Sequence, residues 1–136
     1  MSTVQVDYSS ALRVLEEIES KKDNLVKQVE DFFNERGKNS KKEIVPVKNA
    51  QLQNLLRLAM ATRSIKEIRL FIRYQCARHD KEWGRGENDF GPSLERKIAS
   101  FENEVQGNTE LNIELVRLFL GYFVREAIFR RPPGVD

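Results

Sequence analysis

The stretch IELVRLFLGYFVREAIF, residues 113–129, is apolar nearly all round at helical spacing. A helix with so little solvent face has to be packed on several sides, so the rest of the chain must supply helices or strands to surround it. Its polar positions gather on one narrow stripe: Glu114, Arg117, Gly121 and Arg125. Gly121 removes side-chain bulk there, so another backbone or a ligand can come close; a simple packing glycine between helices is the alternative. The helix is expected over about Glu110–Arg130. Pro132-Pro133 stops it, and Arg130-Arg131 complement the helix dipole.

The surrounding elements also read as helices. Tyr8, Ala11, Leu12, Leu15, Ile18, Leu25, Val26, Val29, Phe32 and Phe33 recur at three- and four-residue spacings. They predict one long helix over about Tyr8–Arg36, with Gly37 ending it in a left-handed turn. A shorter helix starts near Asn49, with Leu52, Leu55, Leu56 and Ala59 on one face. Ser64 and Glu67 have capping-box spacing and open a third helix running to about Trp83. A fourth covers about Leu94–Val105. No stretch alternates in the manner of a strand. The expectation is an all-α fold: a single helical domain over 1–136, a bundle of about five helices with a long N-terminal one. Residues 37–47 (GKNSKKEIVPV) form a mobile basic loop, 84–93 (GRGENDFGPS) a Gly/Pro-containing turn and 132–136 a tail.

Several function classes are disfavoured. No run is long and apolar enough to span a bilayer, and MSTVQVDYSS lacks the pattern of a signal peptide. A single Cys excludes an intrachain disulfide and fits a reducing compartment, so a cytoplasmic location is expected. One Cys and one His cannot form a zinc cluster of their own. No Gly-rich phosphate loop, HExxH or nucleophile elbow is present, and no cofactor is implied.

The formal charge of +2 is unevenly spread: residues 1–36 carry −3, 37–47 +2, 48–85 +6 and 86–136 −3. A central excess of this kind points to a polyanion partner, or else to a solvated basic surface. At about 100° per residue the third helix sorts its side chains into three groups. Ile65, Ile68, Ile72, Cys76, His79 and Trp83 make a core stripe. Leu70, Phe71 and Tyr74 make a second apolar arc, as if a second layer or another subunit covered it. Lys66, Arg69 and Arg73 form a ridge between the two. Crowded cations repel each other and favour an arriving anion, and a phosphate backbone is the commonest such anion. Cys76 and His79 share a face at a spacing of three. They fall on the core stripe with no oriented third group, so packing and not catalysis is expected of them.

The order of these segments resembles a known family. It comprises a Lys-containing loop, then Lys48, Gln51, Leu52, Asn54, Leu55 and Leu56 (K-x-x-Q-L-x-N-L-L). A longer helix ending YQCARHD (Tyr74–Asp80) and a last helix reading LFLGYFVREAIFRR (Leu118–Arg131) follow. Together they resemble the small helical subunit of the type III-A CRISPR effector, the Csm complex. The resemblance covers most of residues 45–131. It implies a non-catalytic, antiviral ribonucleoprotein subunit that stacks with copies of itself and with other Csm complex subunits. Such subunits hold the guide RNA–target RNA duplex through sequence-independent backbone contacts. The family tends to be basic at Lys48, Arg69 and Arg78; Arg57, Arg63, Lys66 and Arg73 are candidates from the charge distribution. RRPPGVD and Gly121 depart from the family pattern. The rival reading is a helical protein-interaction adaptor whose arginines make interfacial ion pairs. A small subunit of a sister CRISPR complex would serve a similar function.

Overall fold

A computed structural model describes residues 3–39 and 43–134, with side chains described from Ser9 onward. The helices are α1 (Thr3–Gly37), α2 (Asn49–Ala61), α3 (Ile65–Arg78), α4 (Asp80–Trp83), α5 (Phe90–Ala99) and α6 (Thr109–Arg130). No strand occurs among the described residues, and the all-α expectation holds. None of their helices is long and apolar enough to cross a membrane.

α6 is the central element. Leu111, Ile113, Leu115, Val116, Phe119, Leu120, Phe123, Val124 and Ala127 are all buried, as its near-continuous apolarity requires. α1 and α2 pack directly on it, while α3 and α5 pack on each other. Phe32, Phe33, Phe90, Phe119 and Phe123 interlock there, with Phe33 and Phe123 centroids 4.8 Å apart. Gly121 departs from the packing expectation, because a Cβ built there meets nothing within 4 Å. Gly121 itself faces open space, but Arg117 on the same stripe is shielded and donates to the Ala59 and Thr62 carbonyls (2.9 and 2.8 Å).

α1 buries less than its apolar spacing predicts. Leu25, Val29 and Phe33 are fully buried and Ile18 and Phe32 partly so. Ala11, Leu12, Leu15 and Val26 are exposed, and Tyr8 lies outside the described side chains. The cause is length. At about 1.5 Å per residue, α1 runs about 52 Å against about 33 Å for α6, so its N-terminal half has too little chain beside it. The helix ends at Gly37 without a left-handed turn; among the described residues positive φ occurs only at Gly84, Gly107 and Gly134.

The basic loop after α1 divides in two. Residues 40–42 lie outside the described residues. The following segment is anchored by contacts: Val45 and Val47 are buried, and Arg36 donates from Nε to the Ile44 carbonyl (2.9 Å) and from Nη2 to that of Glu43 (2.8 Å). Arg131 donates to the Val47 carbonyl and to Asn49 Oδ1, and Arg130 to Glu126 and Asn34. These two arginines therefore clamp α1 and the 43–49 segment, beyond complementing a dipole.

The expected third helix is broken into α3 and α4, which makes six helices and not five. His79 adopts φ −127°, ψ 59°, outside the helical region. The kink still delivers Trp83 to the core, where its Nε1 donates to Gln51 Oε1 at 3.0 Å. Only half of the capping box forms. Ser64 Oγ accepts from the Glu67 N–H (3.0 Å), but the Ser64 N–H donates to Thr62 Oγ1.

α5 begins earlier and ends earlier than its apolar spacing predicts. Gly91 and Pro92 sit in its first turn, where proline lacks no required donor. Gly91 is needed for close approach to α3: a Cβ there would stand 2.3 Å from Cys76 Sγ and 2.9 Å from the Trp83 carbonyl oxygen. After Ala99 the chain turns through residues 100–108 and is tied to α6 by Asn112. This buried side chain accepts from the Val105 N–H (2.9 Å) and donates to the Glu102 and Val105 carbonyls (3.1 Å each).

Candidate nucleic-acid interface

The ridge on α3 exists, but it is not an open cluster of like charges. Arg69 donates from Nε to Glu95 Oε2 at 2.8 Å and from Nη1 to Glu102. Lys66 Nζ lies 3.4 Å from Glu102 and Arg73 Nη1 4.0 Å from Glu95. Two carboxylates from α5 and the turn after it are thus set among three cations, leaving a local excess of one. This overturns the repulsion argument for an anion arriving on the ridge. Arg69, with its side chain 25 % exposed, is committed to holding α3 against α5. Burial pushes the Glu102 carboxyl up, but its hydrogen bonds to Arg69 and Lys66 outweigh this and bring it below the usual range. Glu95 and Glu102 are the residues that helix-face reasoning on α3 alone passes over. The signal was there: they lie seven apart, near-coincident in angle if the helix ran through both.

The other candidates are differently placed. Lys66 keeps its side chain 81 % exposed despite its partner, and Arg63 joins it at a shallow recess shared with Ser64, Glu102 and Asn112. Lys48 is exposed at the start of α2, and Arg57 points outward from that helix, hydrogen-bonded to Asn54. Arg78 lies on another side of α3, where it donates to the Tyr74 hydroxyl at 3.1 Å. Arg73 is exposed. The structure therefore brings Lys66, Arg69 and Arg73 together along the α3–α5 seam, with Arg63 beside Lys66 at the recess by Glu102. It does not bring Lys48, Arg57 or Arg78 to that seam by any contact.

The second apolar arc of α3 is uncovered. Leu70 is 58 % and Tyr74 53 % exposed, while Phe71 packs partly against the core. Phe129, near the end of α6, is the most exposed large apolar side chain among the described residues at 79 %.

Cys76 is buried among core side chains, against Gly91, and burial pushes its thiol above the ordinary value, with Glu95 adding to the shift. A thiol so placed is a poor nucleophile. His79 is half-buried at the helix break. Among the described residues no three His, Cys, Asp or Glu side chains converge as a metal site would need.

The sequence matches no family model, and no curated protein or solved structure matches it.

Proposed function

We propose that this chain is a non-catalytic small subunit of a type III-A CRISPR (Csm) ribonucleoprotein. In this reading it holds the guide RNA–target RNA duplex by contacts to phosphates and packs against copies of itself and other Csm complex subunits in the cytoplasm. The residue order quoted above supplies the family reading. The observation that carries RNA binding is the density of exposed cations over residues 48–85: Lys48, Arg57, Arg63, Lys66, Arg73 and Arg78 all present their side chains to solvent. Arg69 belongs to the same segment but serves the seam, so its contribution to RNA is positional. Sequence would be read by guide–target pairing, and the chain would supply charge.

The adaptor reading keeps one specific support, the uncovered apolar side chains Leu70, Tyr74 and Phe129. One experiment separates the two. RNA retention is measured against salt for the wild type and for Lys48→Ala/Arg57→Ala/Arg63→Ala. Each lost phosphate contact reduces the log–log slope by about 0.7–0.9. A reduced slope with an intact fold supports the RNA reading. An unchanged slope, or binding to a protein partner with no RNA affinity at any salt, sinks it.

A further inference from the structure

α5 carries its charges on two sides. Glu95 turns toward α3, while the next two residues, Arg96 and Lys97, line a cavity of about 660 Å³ on the side facing the C-terminal part of α1. Its volume falls in the range of small-ligand sites, about 300–1,000 Å³. Arg36 and Phe32 contribute to the walls from α1, and Gln28 and Asn88 place amides in the lining. None of these residues is a duplex candidate.

The charge balance of this cavity is unusual. Its two wall carboxylates already have partners, Asp31 with Lys27 (3.0 Å) and Glu35 with Lys38 (3.2 Å). Its three cations have no carboxylate oxygen within 4.0 Å among the described residues. Arg36 is held instead by backbone carbonyls and by the Phe90 ring, 5.1 Å from its guanidinium carbon. Its Nη1 is buried without a hydrogen-bond partner. Lys97 Nζ sits over the Phe101 ring at 5.5 Å and the Phe119 ring at 5.9 Å. Among the described residues the Arg96 side chain makes only a long contact to Ser93, 3.4 Å. Aromatic faces compensate a cation less than an anion does. Burial lowers the proton affinity of both Arg36 and Lys97, and the more distant carboxylates of Asp89 at Arg36 and of Glu104 and Asp31 at Lys97 offset it only in part. An anion in the cavity would offset that desolvation.

We propose that the α1–α5 cavity binds a phosphate-bearing ligand of nucleotide size, gripped by Arg96 and Lys97 over a fixed positive floor supplied by Arg36. Arg96 provides the forked donor set suited to phosphate oxygens and Lys97 a point charge. Arg36 is pinned to the 43–44 backbone and contributes field more than reach.

The test uses the full chain and isothermal titration with inorganic pyrophosphate, adenosine triphosphate and adenosine. The two phosphorylated probes should bind saturably and adenosine should not. The variant Arg96→Gln/Lys97→Met keeps the aliphatic stem over the rings and should weaken binding by about tenfold or more. Arg13→Gln, exposed on the N-terminal part of α1 and away from the cavity, should leave it unchanged. Comparing 5′-phosphorylated with unphosphorylated oligoribonucleotide separates an RNA end from a free nucleotide as the source; a preference for the phosphorylated form of either supports the site. Circular dichroism confirms the variant's fold, and Arg96→Glu alone provides a surface-only version. Equal affinity in wild type and folded variants, adenosine binding as well as its triphosphate, or no saturable binding by either phosphorylated probe would overturn the proposal.

Discussion

Arg69 Nε and Glu95 Oε2, 2.8 Å apart, join the middle of α3 to α5 across a seam that the charge of α3 alone would have left open. Both side chains are mostly shielded, and the same guanidinium reaches Glu102. Arg69→Ala should therefore lower stability, by about 1.5–3 kcal/mol for the charged hydrogen bonds lost. Arg69→Lys should recover only part of this, because an ammonium cannot span both carboxylates as the planar fork does. Urea unfolding followed by circular dichroism reads the difference. A stability loss no larger than that of an exposed arginine such as Arg57→Ala would remove Arg69 from the seam.

Glu102 makes the same seam sensitive to acid. Unfolded, its carboxyl titrates near the ordinary glutamate value of 4.5; folded, it titrates lower because Arg69 and Lys66 hold the charged form against the cost of burial. The folded chain then binds fewer protons than the unfolded one in that interval. The stabilisation is fully present above about pH 4.5 and is lost as pH falls through the lower, folded value. Glu102→Gln should be less stable than wild type at neutral pH, and the two stability curves should converge as pH falls through the lowered, folded value. Parallel curves across that range would show that the pair adds nothing.

What the sequence made legible follows from which contacts are local. The helical periods, the Ser64 cap and the central position of α6 are written within single segments, and the structure keeps them. The length of α1 was legible too, but not how little of it is covered, since that depends on the length of α6. The break at His79 has no proline or glycine to mark it. The acids facing the α3 ridge come from residues 26 and 33 positions away. The α1–α5 cations are further apart still, Arg36 from Arg96 and Lys97, and their shared cavity exists only once the two helices are packed. Site reasoning on one helix wheel thus finds the charges and misses their partners.

Gly91 tests the close approach of α3 and α5. Gly91→Ala should destabilise the fold by about 1–3 kcal/mol despite alanine's better helix propensity, because the new methyl meets Cys76 Sγ and the Trp83 carbonyl. Cys76→Ala removes the nearer obstacle and leaves the carbonyl. In a double-mutant cycle the pair should therefore cost less than the sum of the single changes, by about 0.5 kcal/mol or more. Additive losses would mean that the helices separate freely and that the small residue at 91 is incidental.

Asn112 carries the connection between α5 and α6. It is buried in α6, and three of its hydrogen bonds end on residues 102 and 105 of the preceding turn. Asn112→Asp keeps the size and the acceptor to the Val105 N–H but turns two donations into carboxylate–carbonyl repulsion. Asn112→Leu loses all three and leaves the Val105 N–H and the Glu102 carbonyl unpaired in a part-buried place, while the Val105 carbonyl keeps the Asn108 N–H. Each unpaired group costs about 1–3 kcal/mol, so both variants should lose more stability than any single surface change. The loss should reach the α3 seam, because Glu102, whose carbonyl Asn112 holds, also carries the carboxylate that Arg69 and Lys66 share. In Asn112→Asp the Arg69→Ala change should then cost less than it does in wild type. Hydrogen exchange should show protection falling first in residues 100–108 and next along α3; loss of protection confined to the turn would separate the two and refute the coupling.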